Sequence, residues 1–316
     1  MSVGVGIIGA GMMGAAHVAT LTTGVAGAHV AAVADADAER AAAATREGGA
    51  RAIADPLELI ADAAVDAVVV ASYDTTHEEF VLACIAAGKP VLCEKPLATT
   101  ADACLRVIDA ELAAGRRLVS LGFMRRYDPA YESLKAQLDD GGVGAVLLVH
   151  CAHRNAVPPP VYTSEMLITS SAVHEIDITR WLLGEEIVGA SVRAPRPTSH
   201  AANGLRDPQL VLLETASGVL IDVEVFVNAR YGYDIRCELV GESGTLRLAE
   251  EVAPDFRARF ATAYRRELDA WVQGRGDGAS AWDGYAANAV ADACLESLAS
   301  GARAGVRLTD RPALYD

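Results

Sequence analysis

VGVGIIGAGMMG, residues 3–14, decides the fold. An apolar run of strand character ends in Gly9-Ala10-Gly11-Met12-Met13-Gly14, a GxGxxG turn, and helical spacing follows at once. A glycine turn alone marks any tight bend. Here it leaves a first strand, opens a helix, and precedes a second strand-like run, HVAAVAD (29–35), whose last residue is Asp35. That is the pattern of a dinucleotide-binding βαβ unit. The glycines let backbone approach a pyrophosphate at a helix N-terminus, where amides and dipole favour an anion. Asp35 is placed to accept from the adenosine ribose hydroxyls and to repel a 2′-phosphate. Ala36, rather than a basic residue, stands beside it, so NAD is expected over NADP.

The alternation continues outward from this turn. Further strand-like runs are DAVVVAS (66–72), KPVLCE (89–94) and RLVSLGF (117–123), and Ala-rich stretches of helical spacing cover 12–23, 37–48, 56–63, 77–87 and 100–115. Buried apolar strands separated by helices predict a doubly wound parallel sheet, an α/β Rossmann domain over residues 1–122. Past residue 123 the texture changes. A helix over 128–139, a strand over 144–153, the loop VPPPVY and a helix over 171–183 come first. The strand candidates EIVGASVRA, PQLVLLETA, GVLIDVEVFVN, YDIRCELVG and GTLRLAE follow, with turn signals such as ASG and GESG separating the later ones. Helices over 255–274 and 282–300 close the chain. Residues 123–316 therefore read as an α+β domain with a large open, mostly antiparallel sheet.

Composition narrows the function. The 316 residues are 52% hydrophobic, enough for two cores, and no apolar run spans a membrane unbroken. A net charge of −15 opposes nucleic acid and anionic membranes as partners. Glycine interrupts the first apolar run, which also lacks the charged start of a signal peptide. The six cysteines, at 84, 93, 104, 151, 237 and 294, form no CxxC pair, as in a reduced cytoplasmic chain.

Two stretches carry chemistry. Cys93-Glu94-Lys95-Pro96 ends a predicted parallel strand, where ligands bind, and proline keeps Lys95 out of helical geometry, so the lysine can be aimed at a substrate hydroxyl. Taken alone, without the dinucleotide motif, a loop lysine reads first as solvated surface. TSSAVHEID, residues 169–177, places His174 and Asp177 three apart on one helix face. That histidine is a proton acceptor or a helix-face residue bonded to Asp177. No HExxH pattern or second histidine at ligand spacing accompanies it, so no metal is expected. His77, in TTHEE just past a strand end, is expected to cap a helix and line the cofactor cleft.

GAGMMG, the AD at 34–35 and CEKPLA together resemble the GFO/IDH/MocA family of two-domain NAD(P)-dependent oxidoreductases. GFMRRYD (122–128), HRN (153–155), VHEIDITRWLLGEE (173–186), YGYDIRCELVG (231–241), SAWDGYAA (280–287) and RPALY (311–315) narrow the resemblance to inositol 2-dehydrogenases. The resemblance implies that Lys95 binds the hydroxyl being oxidised and that His174 accepts its proton. It implies that Arg125, His153, Asn155, Ser170, Asp177 and Tyr233 surround a polyol, which needs mixed donors and acceptors. Gly9, Gly11, Met12, Met13, Gly14, Asp35, Ser72, Thr76, His77, Glu94 and Lys95 are the expected NAD contacts. The family's habit also implies a homo-oligomer, dimer or tetramer, assembled through the open sheet.

One departure stands out. Inositol dehydrogenases typically carry aspartate four residues before the histidine, and this chain has Ser170. A serine supplies no charge to raise the basicity of His174. The expected activity is myo-inositol oxidation to the 2-keto compound. The alternatives are a relative retuned to another cyclitol, an amino-cyclitol or a sugar, a ketone reductase, a relative that uses bound NAD without net reduction, and an NAD-binding sensor.

Overall fold

A computed structural model of the chain describes residues 2–46, 48–202, 204–249, 251–275 and 278–316. The chain divides into two compact units. The first comprises Met1–Phe123, Tyr264–Tyr285 and Asp310–Asp316, and the second Met124–Ala263 and Ala286–Thr309. The expected boundaries, 1–122 and 123–316, do not anticipate the two C-terminal segments that pack with the first unit. Those segments are tied by long-range bonds. Leu121 N–H donates to the Ala279 carbonyl at 2.9 Å, and the Tyr315 hydroxyl donates to buried Glu111 at 2.7 Å.

The first unit is built on six parallel strands: β1 (Val3–Ile8), β2 (Ala28–Ala34), β3 (Arg51–Ile53), β4 (Ala67–Val70), β5 (Val91–Glu94) and β6 (Val119–Gly122), in the order β3-β2-β1-β4-β5-β6. β1, β4 and β5 are buried almost throughout, which is why they read as unbroken apolar runs rather than alternating ones. Helices α1 (Met12–Gly24), α2 (Ala38–Ala44), α3 (Pro56–Ala61), α4 (Asp74–Ala86) and α5 (Ala101–Ala114) connect them. The strand order reverses between β1 and β4, and a crevice forms outside the carboxyl ends of strands at such a point. Three-residue β3 is too short to show in the sequence pattern.

The second unit opens with a 3-10 turn, Met124–Tyr127, and α6 (Pro129–Asp139), which has Pro129 in its first turn. Its sheet runs β12-β11-β7-β10-β9-β8-β14, with β13 paired to β11. The strands are β7 (Val146–Arg154), β8 (Ile187–Arg193), β9 (Gln209–Thr215), β10 (Leu220–Phe226), β11 (Tyr233–Gly241), β12 (Gly244–Arg247), β13 (Val252–Ala253) and β14 (Ala304–Gly305). All pairings are antiparallel except β7 with β10, which are joined through a long crossover that includes a helix. β9 and β10 alternate buried and accessible residues, so one face of the sheet is covered and the other is open. A π-helical turn, Leu167–Ala172, leads into α7 (Val173–Leu183), a feature the predicted helix over 171–183 does not contain. Helices α8 (Phe256–Val272) and α9 (Ala281–Ser300) follow.

Candidate active site

The glycine turn builds a cavity of about 480 Å³ in the first unit. Gly9 has φ 93°, a left-handed value that favours glycine, and it packs against Ala71 at the end of β4. A Cβ on Gly14 would lie 1.7 Å from the Gly9 carbonyl oxygen, so α1 can leave the strand this closely only with glycine there. Gly11 faces open space at the cavity wall and starts α1 without a side-chain cap, leaving first-turn amides for an anion. Asp35 ends β2 on the same cavity, accepting from Ala10 N–H at 2.6 Å and from Asp37 N–H at 2.8 Å. An ionised carboxylate has further lone pairs for a ribose diol. Met12, Met13, Ser72 and Thr76 also line the cavity, the two hydroxyls 2.7 Å apart. An open pyrophosphate-sized turn, uncapped amides and an acidic strand end fit a dinucleotide.

Four expected cofactor residues, Gly14, His77, Glu94 and Lys95, are not among those lining this cavity. His77 caps no helix. It lies within α4, buried, with Nδ1 at 2.7 Å from the Pro96 carbonyl and Nε2 at 3.2 Å from the Ser72 carbonyl, so it ties the loop after β5 to the end of β4. Glu94 is directed to His17 of α1 at 2.8 Å and does not line the cavity. Burial pushes its pKa up, but the His17 hydrogen bond and nearby positive charge outweigh that and hold the carboxyl below its ordinary range. Lys95 is half-buried past the end of β5, before the cis bond to Pro96. Sequence reasoning missed Arg40, Tyr73 and Phe80, which line the cavity from α2, the β4–α4 junction and α4. Arg40 sits one helical turn beyond Ala36, and only that spacing signalled it.

In the second unit the polar residues expected around a polyol assemble at one end of the sheet. His153 ends β7 and Tyr233 begins β11, their rings edge-to-face at 5.7 Å. His174, on α7, lies with its ring plane 26° from that of His153 and the centroids 6.2 Å apart. Asn155 continues from β7 with its backbone bonded to Phe226 and Ala229, both at 2.9 Å. Ser170 is half-buried in the π turn and bonds Tyr162. That phenol also donates to the Met166 carbonyl at 3.0 Å and meets Ser171 at 2.7 Å, and burial pushes its pKa up to about 12.

Two residues expected at the substrate are interior braces. Asp177 is 1% exposed and held by Arg126 at 2.5 and 3.0 Å rather than turned out beside His174. Arg125 is also 1% exposed, committed to Glu175 and to His153 and lying over the Phe260 ring. Glu175 itself escaped sequence reasoning, because a glutamate beside a helical histidine looks like any solvated helix residue, yet it is fully buried. Burial pushes its pKa up. The Arg125 guanidinium and His153 outweigh that and hold the carboxyl below its ordinary value. Tyr233 is raised to about 12, chiefly by burial.

A glycine turn opening an uncapped helix, with an acidic residue closing the next strand, defines a dinucleotide-binding unit. The chain belongs to the GFO/IDH/MocA oxidoreductase family: the family's NAD-binding Rossmann fold matches residues 3–123, and its C-terminal domain matches residues 131–247. It is 56% identical over 335 aligned residues to inositol 2-dehydrogenase 1 of Saccharopolyspora erythraea, covering 100% of this chain and 99% of that one. Inositol 2-dehydrogenase 2 of the same organism is 55% identical, covering 100% and 98%. Among solved structures, myo-inositol dehydrogenase of Lactobacillus casei in complex with NAD(H) and myo-inositol superposes with a TM-score of 0.96 at 37% identity, with both chains covered completely.

Proposed function

We propose that this protein is an NAD-dependent inositol 2-dehydrogenase, which oxidises the axial secondary alcohol of myo-inositol to the 2-keto compound. The observation that carries the reading is identity of 55–56% to inositol 2-dehydrogenases over 98–99% of their length. Bound NAD supplies the hydride acceptor. The chain's own residues hold the polyol and move one proton. Lys95, at the carboxyl end of β5, donates to the reacting hydroxyl and favours its deprotonation. His174 takes the hydroxyl proton at Nε2, since Nδ1 is enclosed by protein. His153, Asn155 and Tyr233, gathered at the β7–β11 end of the sheet, supply donors and acceptors to the remaining hydroxyls.

A second reading, a preference for another cyclitol or for an amino-cyclitol, rests on Ser170, a neutral hydroxyl on Tyr162 four residues before His174. A panel of inositol isomers, amino-cyclitols and sugars with NAD and with NADP, followed by reduced-nicotinamide absorbance, separates the two. Fastest reduction of NAD by myo-inositol supports the first reading, faster reduction by another cyclitol supports the second, and silence on the whole panel opposes both.

The open sheet face carries exposed Leu148, Leu210, Leu212 and Leu220 among charged pairs, and an apolar patch of this kind calls for cover. A homo-oligomer, dimer or tetramer, assembled through this face is part of the proposal, as is a cytoplasmic location.

A further inference from the structure

Glu175 has no part in the roles assigned above, yet it is the charged centre of the cluster. Its carboxylate meets Arg125 Nη1 in a short contact and His153 Nδ1 at 3.0 Å through Oε2 and 3.2 Å through Oε1. Arg125 Nη2 also lies 3.2 Å from the same His153 Nδ1. A guanidinium only donates and an ionised carboxylate only accepts, so Nδ1 cannot serve both neighbours. Two carboxylate oxygens against one N–H group settle the matter. Nδ1 carries the proton and donates to Glu175, which leaves Nε2 facing away from this pair.

We propose that Glu175 is a positioning residue for the oxidation: it holds His153 through a protonated Nδ1 beside His174, and with Arg125 it sets the charge against which His174 takes up its proton. The inference rests on His174 as the proton acceptor. Ionisable neighbours reach this cluster from every side. Tyr131 of α6, Cys151 of β7 and Tyr233 of β11 have their ionisation pushed up and stay neutral. Cys237 of β11 faces Cys151 across the strands. Arg259 of α8 stacks over Phe260 and pairs with Asp128 at 3.1 Å, while Asp177 is held by Arg126. Glu175 is thus the carboxylate that offsets Arg125. With its charge removed, Arg125 is left as an uncompensated cation against His153, whose ring lies 6.2 Å from that of His174, and this disfavours a second positive charge there.

The test compares pH profiles of kcat and kcat/KM for the parent, Glu175→Gln and Glu175→Asp. Expected for Glu175→Gln is an acidic limb moved to lower pH by about one unit, with kcat lowered on the order of 10–100-fold. Glu175→Asp keeps the charge, and its limb should stay with the parent's. A folded, active Glu175→Gln enzyme with an unmoved limb overturns the proposal. Should that variant fail to fold, nitrogen-15 imidazole spectra of the parent decide: a proton on Nδ1 of His153 at neutral pH supports the proposal, and a proton on Nε2 with bare Nδ1 overturns it. A parent that oxidises no polyol sinks the proposed function instead, and the His153 spectrum still judges the Glu175 contact.

Discussion

Ser170 and Glu175 bracket His174 with opposite chemistry, one neutral and half-buried, the other ionised and enclosed. A carboxylate at position 170 would favour the imidazolium, so Ser170→Asp should raise kcat/KM on myo-inositol by about tenfold. No gain, in a parent already fast on myo-inositol, would remove the case for retuning by Ser170. Lys95→Met should abolish turnover while NAD still binds, as read by fluorescence titration; surviving turnover would disprove the lysine's role. Glu175 also bears on stability. Its folded pKa lies below the ordinary 4.5, so its ionised form stabilises the fold above that value, and the contribution is lost as pH falls through the depressed folded pKa. Thermal unfolding followed by circular dichroism should show melting temperature dropping as pH is lowered through that window. Removing one partner of so buried a pair typically costs ~3–5 kcal/mol. Local pattern singled out Lys95 and His174 as candidates because each sits in a short recognisable motif. The roles of Arg125 and Asp177 were hidden, because their partners, Glu175 and Arg126, lie 50 and 51 residues away in sequence.

At the scale of elements, the β1 turn was the most legible part of the chain, because its constraints are local. Gly14 cannot accept a Cβ without moving the Gly9 carbonyl. Gly14→Ala should therefore misplace the α1 amides and weaken NAD binding on the order of 10²-fold, measured by calorimetry, with the secondary structure retained. Unchanged affinity would dissociate that turn from the cofactor. Asp35→Ser removes the repulsion of a 2′-phosphate, and the ratio of NADP to NAD turnover should rise; Arg40 on the same cavity supplies a cation to receive the added charge. The longer strands of the second unit were legible through alternation and turn residues, whereas the two-residue β13 and β14 were too short to leave a pattern. The π turn before α7 was not, since its apolar and serine residues, LITSSA, suit an ordinary helical turn equally well. Its wide turn decides how Ser170 stands relative to His174, and π turns recur at functional positions.

For the whole molecule, order along the chain and grouping in space part company after Ala263, where the chain returns to the first unit for Tyr264–Tyr285. No composition shift marks that return, because α8, kinked at Phe260, runs on past it to Val272. The leucines on the accessible side of β7, β9 and β10 predict a mass of two or four chains by light scattering. Leu212→Lys, which puts a charge on that face, should shift the protein toward monomer, and an unshifted mass would place the interface elsewhere. The central claim is that this chain removes hydride from the secondary alcohol of a cyclitol. Incubation with NAD and myo-inositol deuterated at C2, read by mass spectrometry of the nicotinamide product, tests it most directly. The expected result is reduced nicotinamide carrying one deuterium together with an equimolar keto-inositol; keto product without reduced nicotinamide, or no product from any cyclitol, would contradict it.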